Sequence, residues 1–233
     1  MLECLRAGKR APRRLFVLPS AQGMDGILDA AAGVPIETRP RAELDQLADG
    51  TVHQGVVLEA DPLPVLCEKD WLAQSLPADA LAVVLDGIED PHNFGAIVRS
   101  ASALGAHGVF FAKRHAAPLS AAALKSAAGA MSYIDLVEVT NITRALGTLK
   151  KAGFWVAGFD ADAPQTLWQA DLSGRLAVVI GSEGAGMRRL VQETCDFLVR
   201  IPLTGAITSL NASVSAAIAL AECRRRRAGD SGP

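Results

Sequence analysis

Cysteine is scarce and scattered in this 233-residue chain: Cys4, Cys67, Cys195 and Cys223 stand far apart, with no CxxC and no His at ligand spacing. That excludes a zinc site of ordinary spacing and a disulfide framework, and it leaves isolated thiols in a reducing compartment as the expectation. Aromatic residues make up 5% of the chain, so there are few flat platforms on which a planar ligand could stack. The formal net charge is −2, which is not the basic excess of a protein that neutralises many phosphates. Arg6, Lys9, Arg10, Arg13 and Arg14 open the chain without the apolar run that an export signal needs behind them. The longest uncharged stretch begins at Ile201, and its Pro, Gly, Ser, Thr and Asn content argues against a membrane span. A soluble, cytosolic protein is therefore expected.

Half of the residues are hydrophobic, enough for one large domain or for a small one beside a medium one. Residues 1–60 alternate helical and strand-like patterns (LFVLP, ILDAAA, VPIET, RAELDQLAD, VVLEA) and read as a small α/β unit. Residues 61–79 hold three prolines and read as a linker. From residue 80 to 233 the pattern changes. LAVVLD, HGVFFA, FWVAGFD, LAVVIG and FLVRIP are continuous apolar runs of strand length, separated by helical patterns. Such alternation predicts an α/β fold with a mostly parallel sheet, whose ligands sit beyond the carboxyl ends of the strands.

Three of these runs lead into unusual loops. LAVVLD is followed by GIEDPHNFGAIVR, in which Asp90, Pro91 and Asn93 form a helix-capping turn, Gly95 is expected to expose backbone, and Arg99 lies one turn beyond it. A guanidinium there can hold a phosphate or a ribose hydroxyl, or stand as an ordinary surface arginine. LAVVIG is followed by GSEGAGM, whose glycines around Glu183 allow close backbone approach to a ligand or a tight turn. It is neither a dinucleotide fingerprint nor a P-loop, so a nicotinamide dehydrogenase is not supported. FLVRIP runs into IPLTGAITSLNASVSAAIA, where Ser209, Asn211 and Ser213 each suit a helix N-cap although one cap suffices. The basic run Arg224 to Arg227 reads as a solvated helix end, its cations suited to the C-terminal dipole.

In this order, the three loops resemble the SpoU (TrmH) group of SPOUT RNA methyltransferases: Asn93, Gly95 and Arg99 in NFGAIVR, then GSEGAGM, then IPLTGAITSLNASVS. The likeness covers nearly the whole chain. TVHQGVVLE is similar to the small substrate-binding domain of the enzymes that methylate a guanosine ribose in the peptidyl-transferase region of 23S rRNA; His53 and Gln54 also suit a plain turn before a strand. Relatives begin a few residues earlier, whereas this chain starts inside the first helix, and Ala212 stands where relatives often carry Val.

The resemblance implies a C-terminal trefoil knot, which periodicity does not reveal, and an L30e-like N-terminal domain. It also implies a homodimer with its active site at the interface, RNA as partner and S-adenosylmethionine as cofactor. By the same resemblance Arg99, Asn93, Glu183, Ser209 and Asn211 are catalytic positions, while Gly181, Ile201, Pro202, Leu203 and Leu210 bind the cofactor. No metal is expected. Methylation of tRNA or of another rRNA site, and a non-catalytic RNA-binding relative, remain the rival readings.

Overall fold

In the computed structural model, residues 1–20, 23–49, 52–114, 119–206 and 208–229 are described, so Thr51 of TVHQGVVLE and Ile207 of the Ile201 stretch lie outside the described residues. The chain divides into two compact units, Met1–Pro64 and Val65–Pro233.

The first unit runs α1 (Leu2–Ala7), β1 (Pro12–Val17), α2 (Asp25–Ala30), β2 (Ile36–Thr38), α3 (Arg41–Leu47) and β3 (Val56–Ala60). The apolar LFV segment puts β1 at the centre of the sheet, parallel to β2 and antiparallel to β3. Its core is small: Leu15, Met24, Ala31 and Val56, with Leu5, Ile27 and Leu58 packed around them. Outside that core, charges pair off. Arg13 meets Asp61 at 2.6 Å, Arg39 meets Glu37 at 2.6 Å, and Arg14 meets the same Glu37 at 3.3 Å. His53 closes the turn before β3: its Nδ1 accepts from the Gly55 amide at 3.0 Å while Nε2 lies 3.0 Å from Asp45.

The second unit contains β4 (Val65–Cys67), α4 (Glu68–Leu72), β5 (Leu81–Asp86), α5 (Pro91–Ala103), β6 (Gly108–Ala112), α6 (Ala121–Ser126) and β7 (Asp135–Val139). There follow α7 (Ile142–Lys151), β8 (Trp155–Phe159), β9 (Gln165–Thr166), β10 (Leu176–Gly181), α8 (Arg189–Thr194), β11 (Phe197–Arg200) and α9 (Ala212–Gly229). The sheet order is β4-β7-β6-β5-β10-β8-β11-β9, and every pairing is parallel. Because helices cover both faces, β5 is buried at every position and β10 at all but its last, as continuous apolar strands require. None of the described helices is long and apolar enough to cross a membrane.

The expected linker at 61–79 is corrected here. Residues from Val65 onward belong to the second unit, with β4 pairing to β7 and α4 docked through Trp71. Trp71 is fully buried, meets Phe110 edge-on at 4.9 Å and hydrogen-bonds the His107 carbonyl. Its ring lies so close to Gly108 that a Cβ there would stand 2.6 Å from the indole nitrogen. Proline content marked an irregular path, but the buried tryptophan decides where the segment belongs.

Candidate active site

The site is assembled from loops at the carboxyl ends of neighbouring strands. β5 ends on Asp86, a carboxylate only 1% exposed, and Gly87 turns the chain at φ 74°. Asp90 then caps α5, accepting from the amides of His92 (3.0 Å) and Asn93 (3.3 Å), with Pro91 in the first helical position where its missing N–H costs nothing. This projects Asn93 from the first turn. Gly95 does not expose backbone as the sequence suggested. It is buried against α6, where a Cβ would come within 2.4 Å of the Ala123 carbonyl oxygen, so its role is close helix packing.

β10 ends on Gly181, and here glycine is obligatory: a Cβ would lie 2.3 Å from the Gly186 carbonyl carbon and 2.4 Å from the Met187 nitrogen. The loop folds back on itself through paired Ser182 and Gly186 backbone bonds of 3.0 Å, with Gly184 and Gly186 at positive φ. Arg188 fastens this loop to β5, its amide and Nε each donating to Asp86 at 2.7 Å. An acid removed from water in this way needs such a partner. The tight fold aims Glu183 outward from a rigid base.

The third loop runs from β11 to α9. Of the three cap candidates, Asn211 is the cap: its Oδ1 accepts from the Ser213 amide (2.9 Å), the Val214 amide (3.3 Å) and the Ser213 hydroxyl (2.6 Å). Its amide nitrogen faces the other way, donating to Asn93 Oδ1 at 3.0 Å and to Glu183 Oε1. Asn93 Nδ2 also donates to Glu183 Oε1 at 3.0 Å, and the Ala212 amide adds a longer bond of 3.4 Å. Residues 93, 183 and 211 thus meet through one carboxylate oxygen. The other, Oε2, accepts no side-chain hydrogen bond among the described residues.

Beside this cluster lies a cleft of about 830 Å³. Gly181, Glu183, Ile201, Pro202, Leu203, Ser209 and Leu210 all line it. Arg99 is not among its lining residues. Six positions separate Arg99 from Asn93, which at about 100° per residue turns the two side chains roughly 120° apart on α5. Arg99 is exposed and forms no hydrogen bond or ion pair with the described residues. Sequence reasoning missed Phe159, Asp160 and Asp162, which complete the wall. FWVAGFD was already recognisable as a strand, and the rule that ligands lie at strand ends applied to its loop equally.

The basic run near the C-terminus is largely structural, contrary to the solvated helix end expected. Arg225 and Arg226 bind Glu222 at 2.7 and 2.8 Å, and Arg226 also donates to the Trp168 carbonyl. Arg227 donates to the carbonyls of Asp79 (2.6 Å) and Gly174 (3.0 Å). Glu222 is 6% exposed, and chiefly its hydrogen bond with Arg225 drives its carboxyl down to about 2. The thiols take no part: burial above all pushes Cys195 up to about 12 and Cys223 up to about 11. Such thiols do not supply a nucleophile near neutrality.

Comparison with known proteins concerns the fold and the family. Residues 80–221 match the SpoU rRNA Methylase family, and residues 1–66 match the family described as RNA 2'-O ribose methyltransferase substrate binding. The 23S rRNA (guanosine-2'-O-)-methyltransferase RlmB of Pseudomonas aeruginosa is 43% identical over 225 residues, covering 93% of this chain and 90% of that protein. An uncharacterized tRNA/rRNA methyltransferase of Mycolicibacterium vanbaalenii is 43% identical over 234 residues, covering 97% and 74%. Among solved structures, the SpoU methyltransferase AviRb of Streptomyces viridochromogenes in complex with AdoMet has a TM-score of 0.82 at 23% identity, covering 98% of this chain and 89% of that one, a likeness of fold. An RNA 2'-O ribose methyltransferase has a TM-score of 0.78 at 26% identity, covering 97% and 85%.

Proposed function

The chain belongs to the SpoU rRNA methylase family, and from that premise we propose that it transfers a methyl group from S-adenosylmethionine to a ribose 2'-hydroxyl of RNA, that of a guanosine in the peptidyl-transferase region of 23S rRNA. The observation carrying this reading is the meeting of Asn93, Glu183 and Asn211 beside a cleft floored by an obligatory glycine. The guanosine target is supported by the RlmB relative, and a substrate-binding role for the first unit, with an L30e-like fold, by the match over residues 1–66.

The cleft suits the cofactor in size and character. Gly181 allows backbone approach, and Ile201, Pro202, Leu203 and Leu210 provide an apolar wall for an adenosyl group. Bound there, S-adenosylmethionine supplies a methyl already activated on a sulfonium, so the protein's work is alignment and handling of one proton. Alignment alone can contribute about 7–11 kcal/mol in favourable cases. Asn93 and Asn211 hold Glu183 by Oε1 and leave Oε2 to receive the hydroxyl proton, directly or through water. Arg99 acts as a cation, holding a substrate phosphate or favouring the hydroxyl's ionised form; a guanidinium with a pKa above about 12 is a poor base. Ser209, exposed at the cleft edge, contacts substrate.

We propose further that the active form is a homodimer, in which Arg99 of a second copy completes the site. Its separation from the cleft lining of its own chain supports this. Threading of α9 as a trefoil knot is supported by the buried small residues Ala212, Ala216 and Ala219 on that helix, and a cytoplasmic location by the rRNA target. Mapping 2'-O-methylation on 23S rRNA and tRNA from cells lacking the protein tests the target: loss of a 23S guanosine mark is expected, and loss confined to tRNA overturns it. Mixing inactive Arg99→Ala and Glu183→Gln proteins tests the shared site. Recovery of turnover is expected, and its absence would assign both residues to one chain.

A further inference from the structure

We infer that the cleft distinguishes the cofactor from its spent form by charge, and that Asp160 and Asp162 are the residues that make the distinction. This holds only with the cleft as the S-adenosylmethionine site proposed above. Among the described lining residues, three carboxylates (Asp160, Asp162 and Glu183) face one guanidinium, Arg200. Counted together these four side chains carry a net negative charge, because Arg200 offsets one carboxylate of the three. Glu183 is turned toward Asn93, Asn211 and the amino end of α9, while Arg200 donates to the carbonyls of Ala163 and Pro164 in the backbone beyond β8. The pair Asp86 and Arg188 is neutral within itself. The surplus lies on the cleft wall, and the loop after β8 supplies two of its three carboxylates.

That loop holds its acids differently. Asp160 is fixed, with Oδ2 accepting from Gln192 Nε2 at 3.0 Å and Oδ1 accepting from the Asp162 amide at 2.9 Å. The Asp162 carboxylate is exposed and accepts no hydrogen bond from the described residues. Two carboxylates on a short, internally bonded turn therefore border the cleft, and among the described residues neither forms an ion pair, Arg200 being spent on the carbonyls of Ala163 and Pro164.

The ligand changes charge during the reaction. S-adenosylmethionine carries a sulfonium, an ammonium and a carboxylate, hence one net positive charge; S-adenosylhomocysteine has a thioether in place of the sulfonium and is neutral overall. The two share the adenosine and the amino-acid groups, so shape and hydrogen bonding nearly cancel in the comparison. Charge does not cancel. A pair of unit charges about 7 Å apart in a water-like medium changes a binding constant by roughly threefold. Asp160 and Asp162 thus favour entry of the charged cofactor and ease departure of the neutral product.

Calorimetric titration of the full chain with S-adenosylmethionine, S-adenosylhomocysteine and sinefungin, whose ammonium replaces the sulfonium, tests this. Asp162→Asn has no bonded partner to lose and should fold normally. It should weaken the two cationic ligands by about threefold and leave S-adenosylhomocysteine essentially unchanged. Molar salt should shrink the difference, since exposed charges are screened. Glu193→Gln, an exposed acid on α8 outside the cleft lining, should change none of the three. Equal losses for all three ligands, or an unchanged ratio in both Asp162→Asn and Asp160→Asn, overturn the charge role while leaving the cofactor site standing. A wild-type chain that binds none of the three removes the cofactor reading and this inference together.

Discussion

Two glutamates, one facing the amino end of α9 and one within its second half, are treated in opposite ways. At the amino end, Glu183 receives its hydrogen bonds from neutral amides, those of Asn93, Asn211 and Ala212. Further along the helix, Glu222 receives its bonds from the guanidiniums of Arg225 and Arg226. Amides orient a carboxylate without cancelling its charge, whereas guanidiniums neutralise it and hold it ionised. The first acid therefore stays available for chemistry. The second has been converted into a fastening that fixes the second half of the helix.

This contrast can be broken from either side. The largest effect is expected from Gly181→Val, which would drive a side chain into Gly186 beneath Glu183; cofactor binding should be lost, as measured by calorimetry. Retained affinity would put the pocket elsewhere. Next comes Glu183→Gln, which should lower methyl transfer by about 10²- to 10⁴-fold, the range of general acid–base contributions, with the melting temperature unchanged. Undiminished turnover would remove Glu183 as proton acceptor.

Glu222→Gln should do the reverse. Urea unfolding should reveal a loss of about 1–3 kcal/mol, the scale of hydrogen bonds to charged groups, while turnover stays near wild type. Acid titration sharpens the point. The Glu222 carboxyl ionises at about 2 in the fold, against an ordinary value of 4.5. Its contribution is therefore fully present above about 4.5 and disappears as pH falls through 2. The wild type should lose more stability than Glu222→Gln across that window, and parallel curves would deny the clamp. Smallest is Ser209→Ala, expected to cost less than about tenfold in turnover, since the hydroxyl forms no hydrogen bond with the described residues.

The strands buried on both faces were legible because continuous apolar runs have few alternatives. β7 was not: DLVEV carries two acids and matches no simple pattern, yet it pairs on both edges. β4 is only three residues long, and its identity depends on a partner some 70 positions away, which local composition does not encode. In the site, Gly181, Ile201, Pro202, Leu203 and Leu210 line one cleft, and glycine and proline among them declare their backbone geometry locally. Arg99 is the exception. Helical spacing placed it on the face of Gly95, about 120° from Asn93, but could not say which of those faces meets the cleft. The arginine run was misread because its acceptors, the carbonyls of Asp79, Trp168 and Gly174, lie on remote loops.

The insertion of β10 between β5 and β8 has a consequence for how the chain comes into being. Leu81 of β5 pairs with Leu176, so the centre of the sheet joins segments about 95 residues apart in synthesis order. At about 5–20 residues per second, a nascent β5 waits roughly 5–20 s before its central neighbour is made. During that interval an apolar strand has one bare edge. An unpaired apolar edge of this kind is prone to aggregate, so slowing or shielding synthesis between β5 and β10 bears on the yield of folded chain.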